Sequence, residues 1–330
     1  MMEKSRILVL SASGYINKAA VRFSAVRHES QGDILQKHGV NTVLFPGLDD
    51  VNFVQRVAAQ NDIVINTANT FHSSVAKAII EGLAARKEET GYPTHLIQTS
   101  GSGSFADNHV SQRYIETRIL SDKDDIYEYE KYREKIEPFP QRSTDVTVVE
   151  YGQQLGVRTY IVSSPIIYGL GSGFFNRRSM QIEALIRDAR QDGYVSQVGD
   201  GKGEWDYVHI DDLVALYELL VVHILKGDDI SFNAAGYYFS ETGYVSWKEI
   251  SQHIAQVGKE LGLLKTDNVK ELTLEEASEK LLKRGPDVAE LGWGSRSRTR
   301  ADRSREIGWQ PSKMVDDFLS NFKDLWETLE

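Results

Sequence analysis

The sequence predicts an α/β fold in which a doubly wound parallel sheet is followed by a smaller, mainly helical C-terminal lobe. Three short apolar runs, at residues 6–12, 62–68 and 95–100, each end in small or polar residues. Such runs are typical of parallel strands that are buried on both faces of a sheet. Between the last two runs, residues 73–86 repeat apolar side chains at helical spacing behind two serines, which we expect to cap the helix. This order of strand, helix and strand predicts the doubly wound sheet.

The later segments continue this alternation and define two predicted domains. Residues 143–155 have a helical pattern and lead into another apolar run at residues 157–165. From residue 179 onward helical patterns predominate. We therefore expect a dinucleotide-binding-like domain at residues 1–170 and a substrate lobe at residues 171–330.

Three further segments have less regular patterns. Strands at about residues 206–236 are expected to return from the lobe to the main sheet. Residues 122–137 are rich in tyrosine and in charges of both signs, so we expect a solvated loop or helix there. The best candidate for a basic patch is interpreted as the solvated start of a C-terminal helix, and its members are Arg296, Arg298, Arg300, Arg303 and Arg305.

Composition and charge exclude several classes of function. The chain has 330 residues, 41% of them hydrophobic, so it can bury a sizeable core. It has no cysteine, which excludes disulfides, cysteine nucleophiles and cysteine-bound zinc, and no metal site is predicted. The net charge of -10 argues against nucleic-acid binding. No apolar run reaches the roughly 18 residues of a membrane span, and no signal peptide is evident, so we expect a cytoplasmic location without membrane contact.

Small residues after the first strand predict a phosphate-binding turn. Residues 11–17 read SASGYIN. A turn of this kind lets the backbone approach a pyrophosphate at the amino end of the next helix. Gly14 is the one glycine in it, although serines are small enough to admit a phosphate. The candidate cofactor contacts in this turn are Ser11, Ser13, Gly14, Tyr15 and Ile16.

The connection after this turn is unusually short. A second strand is predicted at residues 22–27, so only five residues separate Ile16 from Arg22. A crossover between parallel strands normally takes a dozen or more residues and usually contains a helix. Most of the usual first helix is therefore predicted to be missing. Three explanations stay open: a rebuilt connection, a truncated gene, or a degraded cofactor site.

Several motifs resemble those of one enzyme family. Residues 205–214, WDYVHIDDLV, are similar to the (R)D(Y/F)VHVDDLA segment of extended short-chain dehydrogenases. Residues 11–17 resemble the TGATGYIG loop of the same family. Residues 164–169, SPIIYG, match the strand end beside the nicotinamide in that family. The segment at residues 295–311 is similar to that of an atypical fungal subgroup of NAD-dependent epimerase/dehydratase-like (NmrA-like) proteins. The resemblance implies a Rossmann-type sheet that binds NADP or NAD, unless the cofactor site has been lost.

This resemblance implies further contacts to the cofactor. Residues 47–50 resemble a GxLDD turn that contacts adenine, and their aspartates are also predicted to cap the helix that follows. Arg27 ends the second strand, where an arginine can meet the 2′-phosphate of NADP. The implied contacts outside the glycine turn are Arg27, Asp49, Asp50, Thr67, Ala68, Asn69, Pro165 and Ile167.

The catalytic pair of the resembled family is missing at its expected position. That family uses a tyrosine as proton donor or acceptor, with a lysine four residues later. Counting back from Glu150 places Arg142 at the tyrosine position and Val146 at the lysine position. Valine has no charge, and the pKa of arginine is too high for proton transfer near neutral pH. A literal YxxxK occurs at residues 127–131, 15 residues too early, as a coincidence or as a displaced pair.

Other residues are candidates for the chemistry and for the substrate. Ser100 and Ser102 lie near the position of the family's substrate-orienting serine, in an ordinary-looking glycine-serine turn. The sequence around His209 is compatible with two roles, a catalytic acid or base and a hydrogen-bonded structural histidine. The candidate catalytic residues are Ser100, Ser102, Tyr168, His209 and Arg142. The candidate substrate contacts are Phe175, Asn176, Arg177, Gln181 and Trp205.

Three hypotheses for the function follow. The first is an atypical short-chain dehydrogenase-like enzyme for a small, aromatic or polyketide-like metabolite, which acts by NADP(H)-dependent reduction or by epimerase/dehydratase-type chemistry. The second is a cofactor-independent isomerase, lyase or cyclase in the same cleft. The third is a non-catalytic NADP-binding regulator, which the eroded glycine turn and the missing pair favour. A homodimer through the helix at residues 143–155 and its neighbour is a separate hypothesis about assembly.

Overall fold

A computed structural model describes residues 5–10, 23–45, 47–281 and 284–329 of the chain. Within these ranges the strands are, in chain order, β1 (Ile7–Leu10), β2 (Phe23–Val26), β3 (Asn41–Leu44), β4 (Ile63–Asn66), β5 (His95–Gly101), β6 (Leu120–Ser121), β7 (Arg158–Ser164), β8 (Ile166–Tyr168), β9 (Val195–Val198), β10 (Glu204–His209), β11 (Tyr237–Phe239), β12 (Gly243–Ser246), β13 (Val269–Leu272) and β14 (Thr299–Arg300). The helices of the same ranges are α1 (Glu29–Lys37), α2 (Val51–Ala58), α3 (Ser73–Thr90), α4 (Ile126–Ile136), α5 (Pro140–Leu155), α6 (Gln181–Asp192), α7 (Ile210–Lys226), α8 (Trp247–Glu260), α9 (Leu274–Lys280), α10 (Pro286–Trp293), α11 (Asp302–Glu306) and α12 (Val315–Thr328).

The main sheet is parallel throughout its described strands. Its seven strands lie in the order β11-β7-β5-β4-β1-β2-β3. Strand β4 lies inside the sheet, and its apolar residues Ile63, Val64 and Ile65 are buried, as expected for a strand covered on both faces. The strand order reverses between β1 and β4, which is the hallmark of a doubly wound sheet. The predicted α/β fold with a large parallel sheet is confirmed.

Two adjacent residues of β5 show that helices cover both faces of the sheet. Ser100 donates a hydrogen bond to Asp145 on α5, with 2.5 Å between the oxygens. Thr99 shares a hydrogen bond of 2.7 Å with Tyr217 on α7. Because successive side chains of a strand point to opposite faces, α5 and α7 must pack on opposite sides of the sheet.

The C-terminal half forms a second hydrophobic core of its own. Strands β8, β10 and β12 make a small sheet, and β9 pairs with β13. Three tryptophans, Trp247, Trp293 and Trp326, are almost fully buried there together with Phe318 and Phe322. This lobe follows the main sheet through β7 and β8, which are separated by a single residue, so the lobe is attached at the carboxyl end of β7.

The strand that joins the main sheet from this half of the chain is β11, at its edge beside β7. It begins one residue beyond the expected segment at about 206–236. The start of that segment lies instead in β10, which pairs with β8 and β12 in the small sheet.

Some local expectations were wrong. The serines at the start of α3 do not cap it, because His72 occupies the cap position and no side chain bonds to the free backbone groups. Most of the segment at 122–137 forms α4, and only one side of it is solvated, because Tyr129, Glu130 and Arg133 are buried. Hydrogen bonds accommodate the two buried charged residues: Arg133 donates to the hydroxyl of Tyr129, and Glu130 accepts from Tyr237.

The arginine cluster also differs from its expected role. Arg298 donates 2.8 Å hydrogen bonds to both Asp206 and Glu204 on β10. Helix α11 begins only at Asp302, after this ion-paired segment. The cluster therefore contains arginines that tie the C-terminal segment to the small sheet, and it is not simply the solvated start of a helix.

Gly82 permits the close packing of α3 on α2. A Cβ atom at this position would lie 2.4 Å from the carbonyl oxygen of Gln55 and 2.8 Å from the Cβ of Ala58. We predict that Gly82→Ala lowers the free energy of unfolding by about 2 kcal/mol, because the helices must move apart. Urea unfolding measures this change. Gly292→Ala is the matched control, since nothing lies within 4 Å of a Cβ there and the alanine should not destabilise its helix. An equal effect of the two substitutions would contradict the packing explanation.

Candidate functional site

A large cavity lies where the main sheet meets the C-terminal lobe, and we call it the cleft. It has a volume of about 610 Å³. Gly101 at the end of β5 and Ser164 and Pro165 at the end of β7 line it from the sheet, and Gln181 and Trp205 line it from the lobe. Doubly wound proteins bind ligands at the carboxyl ends of their parallel strands. The cleft is therefore the first candidate for a functional site.

The walls of the cleft are largely aromatic and apolar. Trp205 is 5% exposed, and its indole N–H donates a 3.0 Å hydrogen bond to the hydroxyl of Ser295, which fixes the ring. The indole N–H of Trp293 donates to the carbonyl oxygen of Gln181 in the same way. Phe71 and Phe139 make an edge-to-face contact on another side of the cleft, with ring centroids 5.9 Å apart. Fixed rings of this kind suit a planar apolar ligand.

Charged residues among the described lining of the cleft are mostly paired with other protein groups. Arg133 is buried, donates to the carbonyl oxygen of Ala106 and lies 3.7 Å from the ring centre of Tyr114. Arg113 donates a 2.6 Å hydrogen bond to Asp287 at the rim. The cleft thus has a basic character, although most of its arginines are held by the protein itself.

Arg142 lines the cleft but is used for structure. It is 2% exposed, and its guanidinium donates to Glu134, to the carbonyl oxygen of Ser104 and to that of Glu137, at 3.0, 2.8 and 2.7 Å. Each terminal nitrogen is therefore committed to a protein acceptor. The structure does not support Arg142 as a catalytic candidate, because a guanidinium bonded in this way is not available for proton transfer.

Neither of the predicted serines belongs to the described lining of the cleft. Ser100 is buried and bonds to Asp145, and the backbone oxygen of buried Ser102 accepts a hydrogen bond from Ser297. Gly101 and Gly103 line the cleft in their place. The geometry therefore offers no support for Ser100 or Ser102 as groups that orient a substrate.

Beneath Ser100 lies a buried group of acids. Asp145 accepts from Ser100 and Ser104, and Glu130 accepts from Tyr237, while one oxygen of each acid is buried without a hydrogen-bond partner among the described residues. Burial raises the pKa of Asp145 to about 7. Burial, and next the nearby charge of Asp145, raise the pKa of Glu130 well above its usual range. Two carboxyl groups so close together cannot both be ionised at low cost, so the pair retains a proton near neutral pH.

Tyr168 and His209 lie in the core of the lobe and do not line the cleft. Their rings meet edge to face with centroids 5.0 Å apart. Nδ1 of His209 accepts from the backbone N–H of Asp211, so His209 is the N-cap of α7. Burial lowers the pKa of His209 and raises that of Tyr168. Both residues are therefore neutral and structural, which favours the structural alternative for the histidine.

The literal YxxxK pair lies on α4, outside the cleft. The hydroxyl of Tyr127 donates to Glu150, and the ammonium of Lys131 donates to Glu128. Burial, followed by the charge of Glu150, raises the pKa of Tyr127. A catalytic tyrosine needs a lowered pKa, so the arrangement favours coincidence over a displaced pair.

The expected cofactor crevice is only partly within the described residues. Its predicted contacts Ser11, Ser13, Gly14, Tyr15 and Ile16 lie outside them, as does the segment where the first helix was expected to be missing. Strands β1 and β2, on either side of that segment, pair directly in the sheet. Strand β2 lies within the strand that was predicted at residues 22–27.

Two of the predicted contacts on the adenosine side of this crevice are exposed at strand ends. Arg27 follows the end of β2 with its side chain exposed, and Asp49 is exposed after β3. Asp50 caps α2 by accepting from the backbone N–H of Phe53, as predicted. The nicotinamide side fits less well, because Val146 replaces the lysine that would hold a ribose. Only part of the crevice thus provides the groups that a dinucleotide would need.

The remaining cofactor contacts are involved in local structure. The hydroxyl of Thr67 donates to the carbonyl oxygen of Leu10, which links the ends of β4 and β1. The side chain of Asn69 accepts from the backbone of Phe71 in a turn. Pro165 lines the cleft, whereas Ile167 packs against the core of the main domain.

Two of the predicted substrate contacts line the cleft and three do not. Gln181 and Trp205 line it. Phe175 packs beside Val26 and Leu35, near the end of β2. Arg177 donates a 2.6 Å hydrogen bond to the carbonyl oxygen of Gly171 and closes its own loop. Phe175, Asn176 and Arg177 are thus placed away from the cleft.

Sequence reasoning missed Gln141, Gly101 and Ser164 as cleft residues. Gln141 sits one residue before the position that was counted as the catalytic tyrosine. Its carboxamide faces Gly101 and Gly103, and Cβ atoms on these glycines would lie 3.0 and 3.2 Å from its side-chain nitrogen and oxygen. The available clue was that Gln141 directly precedes the position counted as the catalytic tyrosine. Residue spacing alone could not show, to within one residue, which side of α5 points into the cleft.

A second cavity, of about 510 Å³, lies at the amino-terminal ends of β1, β4, β5 and β7. Arg86 and Asp62 form a 2.9 Å ion pair there, and His95 bonds to Tyr160. This edge is opposite to the one where doubly wound sheets bind their ligands. The cleft remains the better candidate.

None of the described helices combines the length and the apolar character that crossing a membrane requires. In the same part of the chain, no group of three or more histidine, aspartate or glutamate side chains is arranged to hold a metal ion.

The sheet and the cleft together define a Rossmann-type protein in which a C-terminal lobe closes over the carboxyl ends of the strands. The family model described as "NAD dependent epimerase/dehydratase family" matches residues 15–235, more than half of the chain. The protein belongs to this family, which the sequence resemblance had predicted; the comparisons leave the fungal subgroup open.

Known relatives agree with this assignment. The protein is similar to "Oxidase ucsJ" of Acremonium sp, with 27% identity over 294 residues that cover 84% of this chain and 81% of the relative. Among solved structures it is similar to the dTDP-glucose 4,6-dehydratase DesIV of Streptomyces venezuelae, with a TM-score of 0.64, 15% identity and coverage of 98% and 97%. It is also similar to the UDP-glucose 4-epimerase of Thermotoga maritima, with a TM-score of 0.62, 14% identity and coverage of 98% and 99%. At such low identity these structures show the shared fold alone.

The buried acids predict an unusual dependence of stability on pH. A carboxyl group whose pKa is higher in the folded chain keeps a proton that the unfolded chain loses, so the free energy of unfolding falls as pH rises from about 4 to about 7. Glu130→Gln should remove the part of this loss that Glu130 causes, because the amide does not titrate, keeps the bond from Tyr237 and can donate to Asp145. As pH rises, the free energy of unfolding of the wild type should fall relative to that of the variant by up to about 1.4 kcal/mol per pH unit.

Urea unfolding at several pH values between 4 and 8 measures this difference. Glu128→Gln is the control, since it removes an exposed carboxylate from the same helix and should give a difference that is independent of pH. A constant difference for Glu130→Gln would show that the acids hold no extra proton.

Proposed function

We propose that the protein is an enzyme that binds a small aromatic, polyketide-like metabolite in the cleft and transforms it without the usual tyrosine-lysine pair. The reaction is NADP(H)-dependent reduction or epimerase/dehydratase-type chemistry. The observation that carries this proposal is the cleft itself, a cavity of about 610 Å³ with aromatic walls at the carboxyl ends of β5 and β7. Volumes of this size are typical of sites for drug-sized molecules.

The polar groups of the cleft support chemistry without the tyrosine. No tyrosine, lysine or histidine belongs to the described lining of the cleft. Its carboxylates, Glu137 and Asp287, face arginines, with Asp287 only 2.6 Å from Arg113. The substrate or water must therefore supply the proton that the family normally takes from its tyrosine. This requirement favours substrates that carry an acidic phenol or enol of their own.

A nicotinamide dinucleotide, when bound, would supply or accept a hydride. Arg27 and Asp49 are exposed at the strand ends where the adenosine of such a cofactor would lie. The name of the Acremonium relative, an oxidase, also favours redox chemistry. We extend the proposal to membership of the atypical fungal subgroup and to a role in secondary metabolism, which this relative and the C-terminal motif at residues 295–311 support.

A second candidate is a cofactor-independent isomerase, lyase or cyclase. It is favoured by direct contacts between α5 and the turn after β4, where the resembled family passes its cofactor. Gln141 donates to Thr70, Thr144 shares a hydrogen bond of 3.0 Å with Ser73, and Phe139 contacts Phe71. These contacts narrow the space that a nicotinamide ribose would need.

Titration with NADPH and NADH separates the two candidates. We predict that both raise the melting temperature, because a ligand that binds only the folded state stabilises it. Arg27→Gln should weaken NADPH binding about tenfold and leave NADH binding unchanged, since only NADPH has a 2′-phosphate for the arginine to meet. Fluorescence titration gives the two dissociation constants.

The control is Arg187→Gln, which removes an exposed arginine of α6 and should change neither constant. If neither dinucleotide binds at millimolar concentration, the redox proposal is wrong and the cofactor-independent candidate replaces it. Binding of a dinucleotide without any conversion of aromatic hydroxyketones would favour the regulator.

A further inference from the structure

Gln141 presents a fixed carboxamide at the base of the cleft. It lies in the first turn of α5, is 8% exposed and lines the cleft. Its side-chain nitrogen donates a 3.1 Å hydrogen bond to the hydroxyl of Thr70, which holds the group in place. A carboxamide has two N–H donors and an oxygen acceptor, so one donor and the acceptor are left for another partner.

Ser164 presents an unpaired hydroxyl in the same place. It is the last residue of β7, lines the cleft and is 6% exposed. Its hydroxyl oxygen is buried, and no group in the described part of the chain bonds to it. A buried hydroxyl without a partner is destabilising, and an unpaired group of this kind calls for an explanation such as a bound ligand.

Gly101 lets the carboxamide of Gln141 lie close to the end of β5. It pairs with Ser164 across β5 and β7. A Cβ atom on Gly101 would lie 3.0 Å from the side-chain nitrogen of Gln141 and 3.5 Å from the carbonyl oxygen of Ser164. A Cβ on the neighbouring Gly103 would lie 3.2 Å from the oxygen of Gln141 and 4.0 Å from the ring of Trp205. The two glycines thus leave room for the carboxamide of Gln141 beside the ring of Trp205.

We propose that Gln141 and Ser164 are the specificity-determining pair of the cleft, and that they recognise neighbouring carbonyl and hydroxyl oxygens on an aromatic substrate. The serine hydroxyl donates to the carbonyl oxygen, and the carboxamide oxygen accepts from the hydroxyl while the ring packs against Trp205. Neutral donors and acceptors match a hydroxyketone or its enol, which are neutral groups. The inference rests on the proposed function, because it names the substrate class of the same cleft.

Two probes test the pair by binding alone. One is 1-hydroxy-2-acetonaphthone, which carries a hydroxyl beside a ketone on a bicyclic ring, and the other is 2-ethylnaphthalene, a similar skeleton without oxygen. Quenching of tryptophan fluorescence gives both dissociation constants. The wild type should bind the hydroxyketone about tenfold more tightly or better, because two hydrogen bonds contribute.

Variants then assign this preference to the two residues. Ser164→Ala and Gln141→Leu should each weaken hydroxyketone binding about three- to tenfold and leave the hydrocarbon unchanged. Gly101→Ala should weaken hydroxyketone binding more than hydrocarbon binding, because a Cβ there would lie 3.0 Å from the carboxamide nitrogen and would displace Gln141. The matched control is Ser163→Ala, since the hydroxyl of Ser163 is equally buried and unpaired among the described residues but does not line the cleft. Unchanged melting temperatures would show that each variant folds.

The outcomes separate this inference from the proposed function. If both probes bind the wild type but Ser164→Ala and Gln141→Leu leave the ratio of their affinities unchanged, the proposed role of Gln141 and Ser164 is wrong. The proposal that the cleft binds an aromatic ligand is then unaffected. The same conclusion follows if Ser163→Ala lowers the ratio as much as Ser164→Ala does. If neither probe binds at millimolar concentration, the proposed aromatic ligand is wrong and the pair with it.

Discussion

The buried guanidinium of Arg142 is the interaction on which the cleft depends. It joins Glu134 on α4, the backbone of Ser104 after β5 and the backbone of Glu137 before α5. The end of α4 with the turn before α5, and the segment after β5, are thereby fixed to one side chain, and both regions border the cleft. A buried cation with acceptors for its donors is stable, but the same cation with a partner removed is costly. The position where the family resemblance places a catalytic tyrosine has thus become a structural anchor.

This anchor determines which groups of α5 can reach a ligand. With Arg142 directed at α4, Gln141 lies over Gly101 in the cleft and Asp145 lies under Ser100, away from it. The helix therefore offers an uncharged carboxamide to the ligand and keeps its acid in the core, where burial holds a proton on the Asp145 and Glu130 pair. Chemistry in the cleft must rely on positioning, on the substrate's own acidity and on any cofactor that binds.

Much of the fold could be predicted from the sequence, because buried parallel strands have apolar runs of recognisable length. The cleft was predictable in part: Trp205 and Gln181 belong to motifs and line it, and so does Arg142. The inward or outward direction of a side chain changes with every residue of a strand, so Ser100 could not be distinguished from Gly101 by position alone. His209 was ambiguous for another reason, since a histidine that caps its own helix has the same sequence context as one that faces a ligand.

Replacement of Arg142 by methionine tests the central claim most directly. Arg142→Met keeps the length and apolar stem of the side chain but leaves Glu134 and two backbone carbonyl groups without their donor. The account predicts a loss of about 3 kcal/mol or more in the free energy of unfolding, measured by urea titration, together with weaker binding of aromatic probes. A variant that unfolds like the wild type and has lost only its catalytic activity would contradict the account, because Arg142 would then serve the reaction and not the structure.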